Sequence, residues 1–169
     1  MKLNTIEDLL EEQLHDLYSA EKQYYDTLPK LSEQADSAEL RKAFYDQYEE
    51  TENQLNRLEQ IHKKLGLAHD ERVSEPVRGM MEENERLMNS EGNSVVKDAA
   101  FIAAAQRLDH YEMAGYGCAR TYAHELGYRD VERMLQTSLD EAGDDDKKFT
   151  KLAEGGFFSK GLNQEAPKK

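Results

Sequence analysis

The sequence predicts an all-α domain of four long amphipathic helices in one bundle, with a long crossover between the second and third that carries an extra short helix. Three observations predict it. Apolar residues recur at three- and four-residue spacing over four stretches of about 25 to 30 residues each. Charged residues make up 34% of the chain, with 10 Gly, 3 Pro and no Trp, a mixture that suits solvent-washed helices and not a sheet. The breaks between stretches fall on residues that start and stop helices.

The first helix spans about residues 5–34. Thr5 followed by Asp8 reads as a helix start, with Glu7 and Asp8 at the positive end of the dipole. Its stripe is Leu3, Leu10, Leu14, Leu17, Tyr18, Tyr25 and Leu28. Pro29 removes the bond to the Tyr25 carbonyl and should kink the last turn. Asp36 with Glu39 reads as a capping box, opening a helix with stripe Leu40, Phe44, Tyr48, Thr51, Leu55, Leu58, His62 and Leu65. Gly66 is its stop.

The pattern lapses over residues 67–74. Ser74 as N-cap and Pro76 in the first turn then open a short helix over residues 75–88. Its methionines, Met80, Met81 and Met88, read as adaptable packing. After a linker at residues 89–93, the third long helix carries Phe101, Ala104, Ala105, Leu108, Gly115, Ala119, Tyr122 and Leu126, and Gly127 ends it. The fourth begins near Asp130, with stripe Val131, Leu135, Leu139, Ala142, Asp146, Phe149 and Ala153, and stops at Gly155 and Gly156. The bundle therefore takes residues 1–156, and 157–169 reads as a flexible tail. Tight turns join the first helix to the second and the third to the fourth. The long crossover lets the second and third lie parallel, the connection of ferritin-like bundles.

Charge excludes several functions. A formal charge of −13 and a pI near 4.8 repel nucleic acid and anionic lipid, and no basic arm offsets them. The longest apolar run, residues 99–105, is too short to span a membrane. Acidic residues from Glu7 onward leave no signal-peptide pattern. Cys118 is the only cysteine, which suits a reducing compartment, and beside Tyr116, Gly117 and Ala119 it reads as a small core residue. A cytoplasmic protein without nucleic-acid or membrane partners is expected. Phosphate loops, cysteine pairs, nucleophile elbows and zinc-protease signatures are absent from the sequence.

The chemistry lies in acids at core positions. Glu21 falls in phase with the first stripe and Glu112 with the third, with Asp109 one turn earlier at the stripe's edge. Burying an unpaired carboxylate costs several kcal/mol, so acids converging from different helices suggest a cation between them. On the second helix Glu52 leans toward the stripe, Glu49 lies one turn behind and Glu50 falls on the far flank. On the fourth, Asp146 is on the stripe, flanked by Glu141 and Asp145. The expected ligand set is Glu21, Glu49, Glu52, Asp109, Glu112 and Asp146. The Glu-x-x-His pairs of ferritin-like di-metal sites are missing from both the second and fourth helices, and His62 lies almost three turns beyond Glu52. The alternative is that Arg107, Lys22 or the hydroxyls of Tyr18, Tyr25 and Tyr48 neutralise the core acids.

Several segments resemble the YciF-type bacterial ferritin-like stress proteins. They are residues 16–23 (Asp-Leu-Tyr-Ser-Ala-Glu-Lys-Gln), 28–31 (Leu-Pro-Lys-Leu), 49–51 (Glu-Glu-Thr), 126–128 (Leu-Gly-Tyr), 150–153 (Thr-Lys-Leu-Ala) and, most specifically, 103–112 (Ala-Ala-Ala-Gln-Arg-Leu-Asp-His-Tyr-Glu) with Tyr116 and Gly117. The resemblance implies a homodimeric four-helix bundle of the bacterial cytoplasm, tied to general or osmotic stress, with a di-metal centre of iron or manganese. It implies Glu21, Glu112 and the acids at 49–52 as ligands. Three departures stand out: Ala142 where the family carries an acid, Glu52 where a basic residue or histidine is frequent, and Gln47 in place of a frequent histidine. Two functions follow: a metal-holding protein that consumes oxygen or peroxide, or a non-catalytic structural or interaction protein with a degraded site. An iron-storage cage has no sequence support.

Overall fold

The structure is a computed structural model describing residues 3–68, 72–156 and 159–168. Among the described residues six helices follow in order: α1 (Ile6–Gln34), α2 (Ala38–Leu65), α3 (Glu75–Met88), α4 (Ser94–Glu125), α5 (Arg129–Glu154) and α6 (Leu162–Glu165). The long helices α1, α2, α4 and α5 form the bundle, and α3, within the crossover, lies against α1 and α4. The fold class is the expected one.

Local chemistry sets the helix ends. Thr5 Oγ1 accepts from the Asp8 amide at 3.1 Å, and the Asp8 carboxylate accepts from the Thr5 and Asn4 amides at 3.1 and 2.7 Å. Gly66 closes α2 at φ 67°, a left-handed conformation that glycine adopts without strain. The start of α2 differs from expectation. Its N-cap is Ser37, whose hydroxyl accepts from the Leu40 amide, and Asp36 instead accepts from the Ser94 hydroxyl at 2.8 Å. The cause lies across the bundle. The carboxylate of buried Asp98 on α4 takes the Asp36 and Ser37 amides at 2.9 and 2.7 Å, which turns the chain one residue further before the helix begins.

Each long helix buries a stripe with alternating four- and three-residue steps. On α1 it is Leu10, Leu14, Leu17, Glu21, Tyr24, Leu28 and Leu31. On α2 it is Leu40, Phe44, Gln47, Thr51, Gln54, Leu58 and Ile61. The α4 stripe runs through Phe101, Ala105, Leu108, Glu112, Gly115 and Ala119, and the α5 stripe through Val131, Leu135, Ser138, Ala142, Asp145 and Phe149. This is the spacing of near-parallel helices packing side by side. The α2 and α5 faces are rotated from expectation: Gln47 and Gln54 point inward in place of Tyr48 and Leu55, and Ser138 and Asp145 in place of Leu139 and Asp146.

Two apolar clusters result. One, around Tyr24, Leu28, Phe44, Phe101 and Phe149, holds one half of the bundle; the other, around Leu10, Leu14, Leu17, Leu58 and Leu135, holds the opposite half. Between them lies a buried polar layer of Glu21, Gln47, Thr51, Gln54, Asp109, Glu112, Ser138 and Asp145. Gly115 brings α4 close to α1, since a Cβ there would meet Leu17 Cδ2 at 2.7 Å.

Within residues 157–169 the short helix α6 forms, and Leu162 packs against the first cluster. Glycine at 155 (φ 80°) and 161 lets the two backbones touch, where a Cβ at 161 would meet the Ala153 carbonyl at 2.3 Å. Residues 157–158 and 169 lie outside the described residues. One further expectation is corrected: Cys118 is exposed and not a core residue, because Gly115, Tyr116 and Ala119 occupy the inward positions of that part of α4.

Replacing Asp98 by Ala removes two charge-assisted bonds and strands two turn amides, so it should cost about 2 kcal/mol or more. Ser37→Ala should cost only about 1 kcal/mol. Urea unfolding of the two variants checks the order. A loss for Asp98→Ala no larger than for Ser37→Ala would show that other contacts hold the turn.

Candidate metal centre

The centre is built from the middle of the stripes. Helix α1 contributes Glu21 at 0% exposure, and α4 contributes Asp109 and Glu112 at 0% and 3%. Glu21 Oε1 accepts from the Tyr116 hydroxyl at 2.6 Å. Asp109 Oδ1 accepts from Gln47 Nε2 at 2.8 Å, and Gln47 Oε1 accepts in turn from the Tyr24 hydroxyl at 2.7 Å. Among the described residues three carboxylate oxygens remain buried without a hydrogen-bond partner: Glu21 Oε2, Asp109 Oδ2 and Glu112 Oε1. Burial pushes the Glu21 carboxyl up to about 8 and holds Asp109 and Glu112 well above the usual carboxylate range. Repulsion from Glu21, Asp109, Asp145 and Glu50 adds to the effect at Glu112.

The α2–α5 side is already neutralised. Arg57 makes a two-pronged contact with Glu141 at 2.8 and 2.9 Å and donates to Ser138 Oγ at 2.6 Å. Gln54 reaches the same Glu141 carboxylate at 3.3 Å. Lys148 donates to Asp145 at 2.7 Å, and Asp145 is 5% exposed. Glu50, half-buried, is pushed up to about 7 by burial and by the charges of Asp145 and Glu141. In the true register the acid–x–x–imidazole positions are therefore Glu50 with Asn53 and Asp145 with Lys148, and neither pair contains an imidazole. Ala142, buried on the α5 stripe, supplies no ligand.

Of the six expected ligands, the structure brings Glu21, Asp109 and Glu112 together at the bundle centre. Glu49 and Glu52 face solvent. Asp146 lies outside the core, accepting from Gln106 at 2.9 Å and facing the His110 ring at 3.4 Å. The rotation of α2 and α5 explains all three departures and puts Glu50 and Asp145 in their place. The alternative neutralising partners also go elsewhere. Tyr18 donates to Glu59, Lys22 to Asp26 and Arg107 to Glu83, while Tyr25 and Tyr48 bond each other. His62 Nδ1 lies 2.8 Å from the Leu58 carbonyl, and its ring meets His15 at 5.1 Å. Sequence reasoning noted Tyr116 and Gln47 only through the family resemblance and gave neither a place beside the core acids. The available signals were the i+4 step from Glu112 to Tyr116 and the seven-residue spacing of Gln47 and Gln54.

On the α1–α4 side the orphaned carboxylate oxygens are of the donor type that a hard cation takes, and they have no other partner among the described residues. A second cation does not fit on the α2–α5 side, where Arg57 and Lys148 supply the positive charge. Among the described residues no three His, Cys, Asp or Glu side chains are grouped closely enough to hold a metal ion as they stand, so ligation requires side-chain rotation.

Without metal, these acids should make stability fall with rising pH. Glu21 keeps its proton in the folded chain up to about 8 but releases it near 4.5 when unfolded, so each step upward between those values favours unfolding. Glu50, up to about 7, acts in the same direction. Facing Glu21 are Glu50 and Arg57 from α2, Glu112 and Tyr116 from α4, and Glu141 from α5. The expected outcome is a melting temperature that drops between about pH 5 and 8 in chelator-treated protein, with Glu21→Gln flattening the slope and stabilising the alkaline side. A melting temperature that rises over this interval contradicts the assignment.

Comparison with known proteins agrees with this architecture. Residues 5–166 match the model of a family described as Domain of unknown function (DUF892). Protein YciF of Escherichia coli (strain K12) is 37% identical over 165 residues, covering 97% of this chain and 99% of that protein. The crystal structure of the E. coli stress protein YciF matches with a TM-score of 0.85 at 38% identity, covering 89% of this chain and 95% of that one. YcfI from Rhodopseudomonas palustris, described as a candidate structural protein, matches with a TM-score of 0.86 at 37% identity, over 90% and 97% of the two chains. A protein from Xanthomonas campestris, at 16% identity and a TM-score of 0.68, shares the fold. With a family match running from the first helix cap to α6, the chain belongs to the DUF892 family.

Proposed function

We propose that this protein is a stress-associated ferritin-like bundle that holds one iron or manganese ion between α1 and α4 through Glu21, Asp109 and Glu112. The observation that carries the reading is the trio of buried, partnerless carboxylate oxygens from two helices. A native protein leaves few such atoms unsatisfied, and each carries a desolvation cost. Similarity to the E. coli stress protein YciF supports the stress association. A cytoplasmic location and a homodimer belong to the same proposal.

A bound iron or manganese ion would supply one-electron chemistry toward oxygen or peroxide. The chain's own residues prepare the place. Tyr116 holds a proton against Glu21 Oε1 and leaves Oε2 buried without a hydrogen-bond partner. Gln47, itself anchored by Tyr24, fixes one oxygen of Asp109. The apolar clusters on either side exclude water, which strengthens each charge interaction between them.

A second reading, a non-catalytic structural protein, is favoured by one feature. Arg57 and Lys148 stand where a second cation would need free acids. Metal analysis after dialysis against Mn²⁺, or Fe²⁺ under anaerobic conditions, separates the two. The metal reading expects a single equivalent per chain, lost in Glu21→Ala and Glu112→Ala and kept in Glu52→Ala and Asp146→Ala. It also expects a melting temperature that rises with the logarithm of metal concentration. Equal metal content in wild type and the Glu21 and Glu112 variants, or no thermal shift, selects the structural reading.

A further inference from the structure

The chain holds nine Tyr and no Trp, and the centre uses only Tyr24 and Tyr116. One remaining pair is arranged in a way that packing alone does not require. Tyr25 on α1 and Tyr48 on α2 are half-buried, with ring centroids 4.4 Å apart and planes 20° from parallel. Their hydroxyl oxygens are 2.6 Å apart. The oxygens are thus closer than the ring centres, and the ring carbons flanking them are drawn together at that same end. These ortho carbons carry unpaired density when a phenol loses an electron and a proton. The pair also lies one residue outward from the buried Tyr24–Gln47 contact, so two successive rungs tie α1 to α2.

We propose that Tyr25 and Tyr48 form a site of oxidative modification, at which peroxide-driven one-electron oxidation joins the two rings as dityrosine and ties α1 covalently to α2. The proposal stands apart from the cation reading, because any one-electron carrier that uses hydrogen peroxide suffices. Each phenol gives up one electron and its hydroxyl proton. A carbon–carbon bond then forms between one ortho carbon of each ring, and the hydrogens on those carbons move to the oxygens as aromaticity returns. The net loss from protein is two electrons and two protons, and one hydrogen peroxide is reduced to two waters. The short contact between oxygens gives the first departing proton an acceptor in place. Tyr25, pushed up to about 12 chiefly by its hydrogen bond to Tyr48, enters as a neutral phenol and so needs one. Tyr45, at 55% exposure, is the control: it is more accessible, but among the described residues no phenol stacks on it.

The test is full-length protein treated with hydrogen peroxide and a trace of haem peroxidase. The expected product runs as a single chain on a denaturing gel, has lost two hydrogens and shows dityrosine fluorescence. Tryptic digestion should give one linked species joining peptide 23–30 to peptide 43–57, with fragmentation placing the bond at Tyr25 and Tyr48. The cross-linked protein should melt at a higher temperature than the untreated chain. Tyr25→Phe and Tyr48→Phe, each folded by circular dichroism, should abolish the intrachain product, and Tyr45→Phe should keep it. Persistence of that product in Tyr25→Phe or Tyr48→Phe, dityrosine found only between chains, or no dityrosine at all overturns the proposal.

Discussion

Three carboxyl groups held in a water-poor layer between two apolar clusters set the terms for the rest of this bundle. An ionised carboxylate removed from water without a partner costs several kcal/mol, and a domain of this size is stable by only about 5 to 15 kcal/mol. Leaving all three charged and unpaired would spend most of that margin. The fold has two ways out: to keep protons on the acids, or to share their charge with a cation. The high proton affinities of Glu21, Asp109 and Glu112 describe the first state, and their partnerless oxygens point to the second.

The layer is lopsided, and the lopsidedness has a structural origin. Helices α1 and α4 meet closely, helped by Gly115 beneath Leu17, and put acids and phenols at their contact. Helices α2 and α5 put bases beside their acids, so Arg57 closes on Glu141 and Lys148 on Asp145. These cations also act inward, since Arg57 lowers the proton affinity of both Glu21 and Glu50. The chain thus carries its own positive charge on one side and leaves the other side acidic. Buried polar layers of this kind also fix helix register, because sliding any helix by one turn would strand a hydrogen-bonding group among leucines.

Much of the fold was legible because local chemistry specifies ends. Thr5 with Asp8, Gly66, and Ser74 with Pro76 each sit where the backbone needs them, and the helix limits follow. The inward faces of α1 and α4 were legible too, since leucine, alanine and phenylalanine mark them. On α2 and α5 the same procedure failed for a physical reason. There the inward positions at mid-helix are Gln47, Gln54, Ser138 and Asp145, which are buried because a partner across the bundle satisfies them or, for Asp145, a lysine one turn along. Apolar periodicity is blind to a polar residue that is buried with its partner. It settled instead on Tyr48, Leu55 and Leu139, and the expected ligands moved with it to Glu52 and Asp146. The path of the chain beyond Gly155 depends on two glycine backbones in contact, which composition alone does not reveal.

The account stands or falls on whether a cation sits among the core acids of α1 and α4. Crystals grown in Mn²⁺ without chelator, with diffraction recorded at a wavelength where manganese scatters anomalously, measure this directly. The account predicts one anomalous peak per chain, within bonding distance of the free oxygens of Glu21, Asp109 and Glu112. A map with no peak there, or with manganese found only on the outer acids Glu49, Glu52 and Asp146, would contradict it.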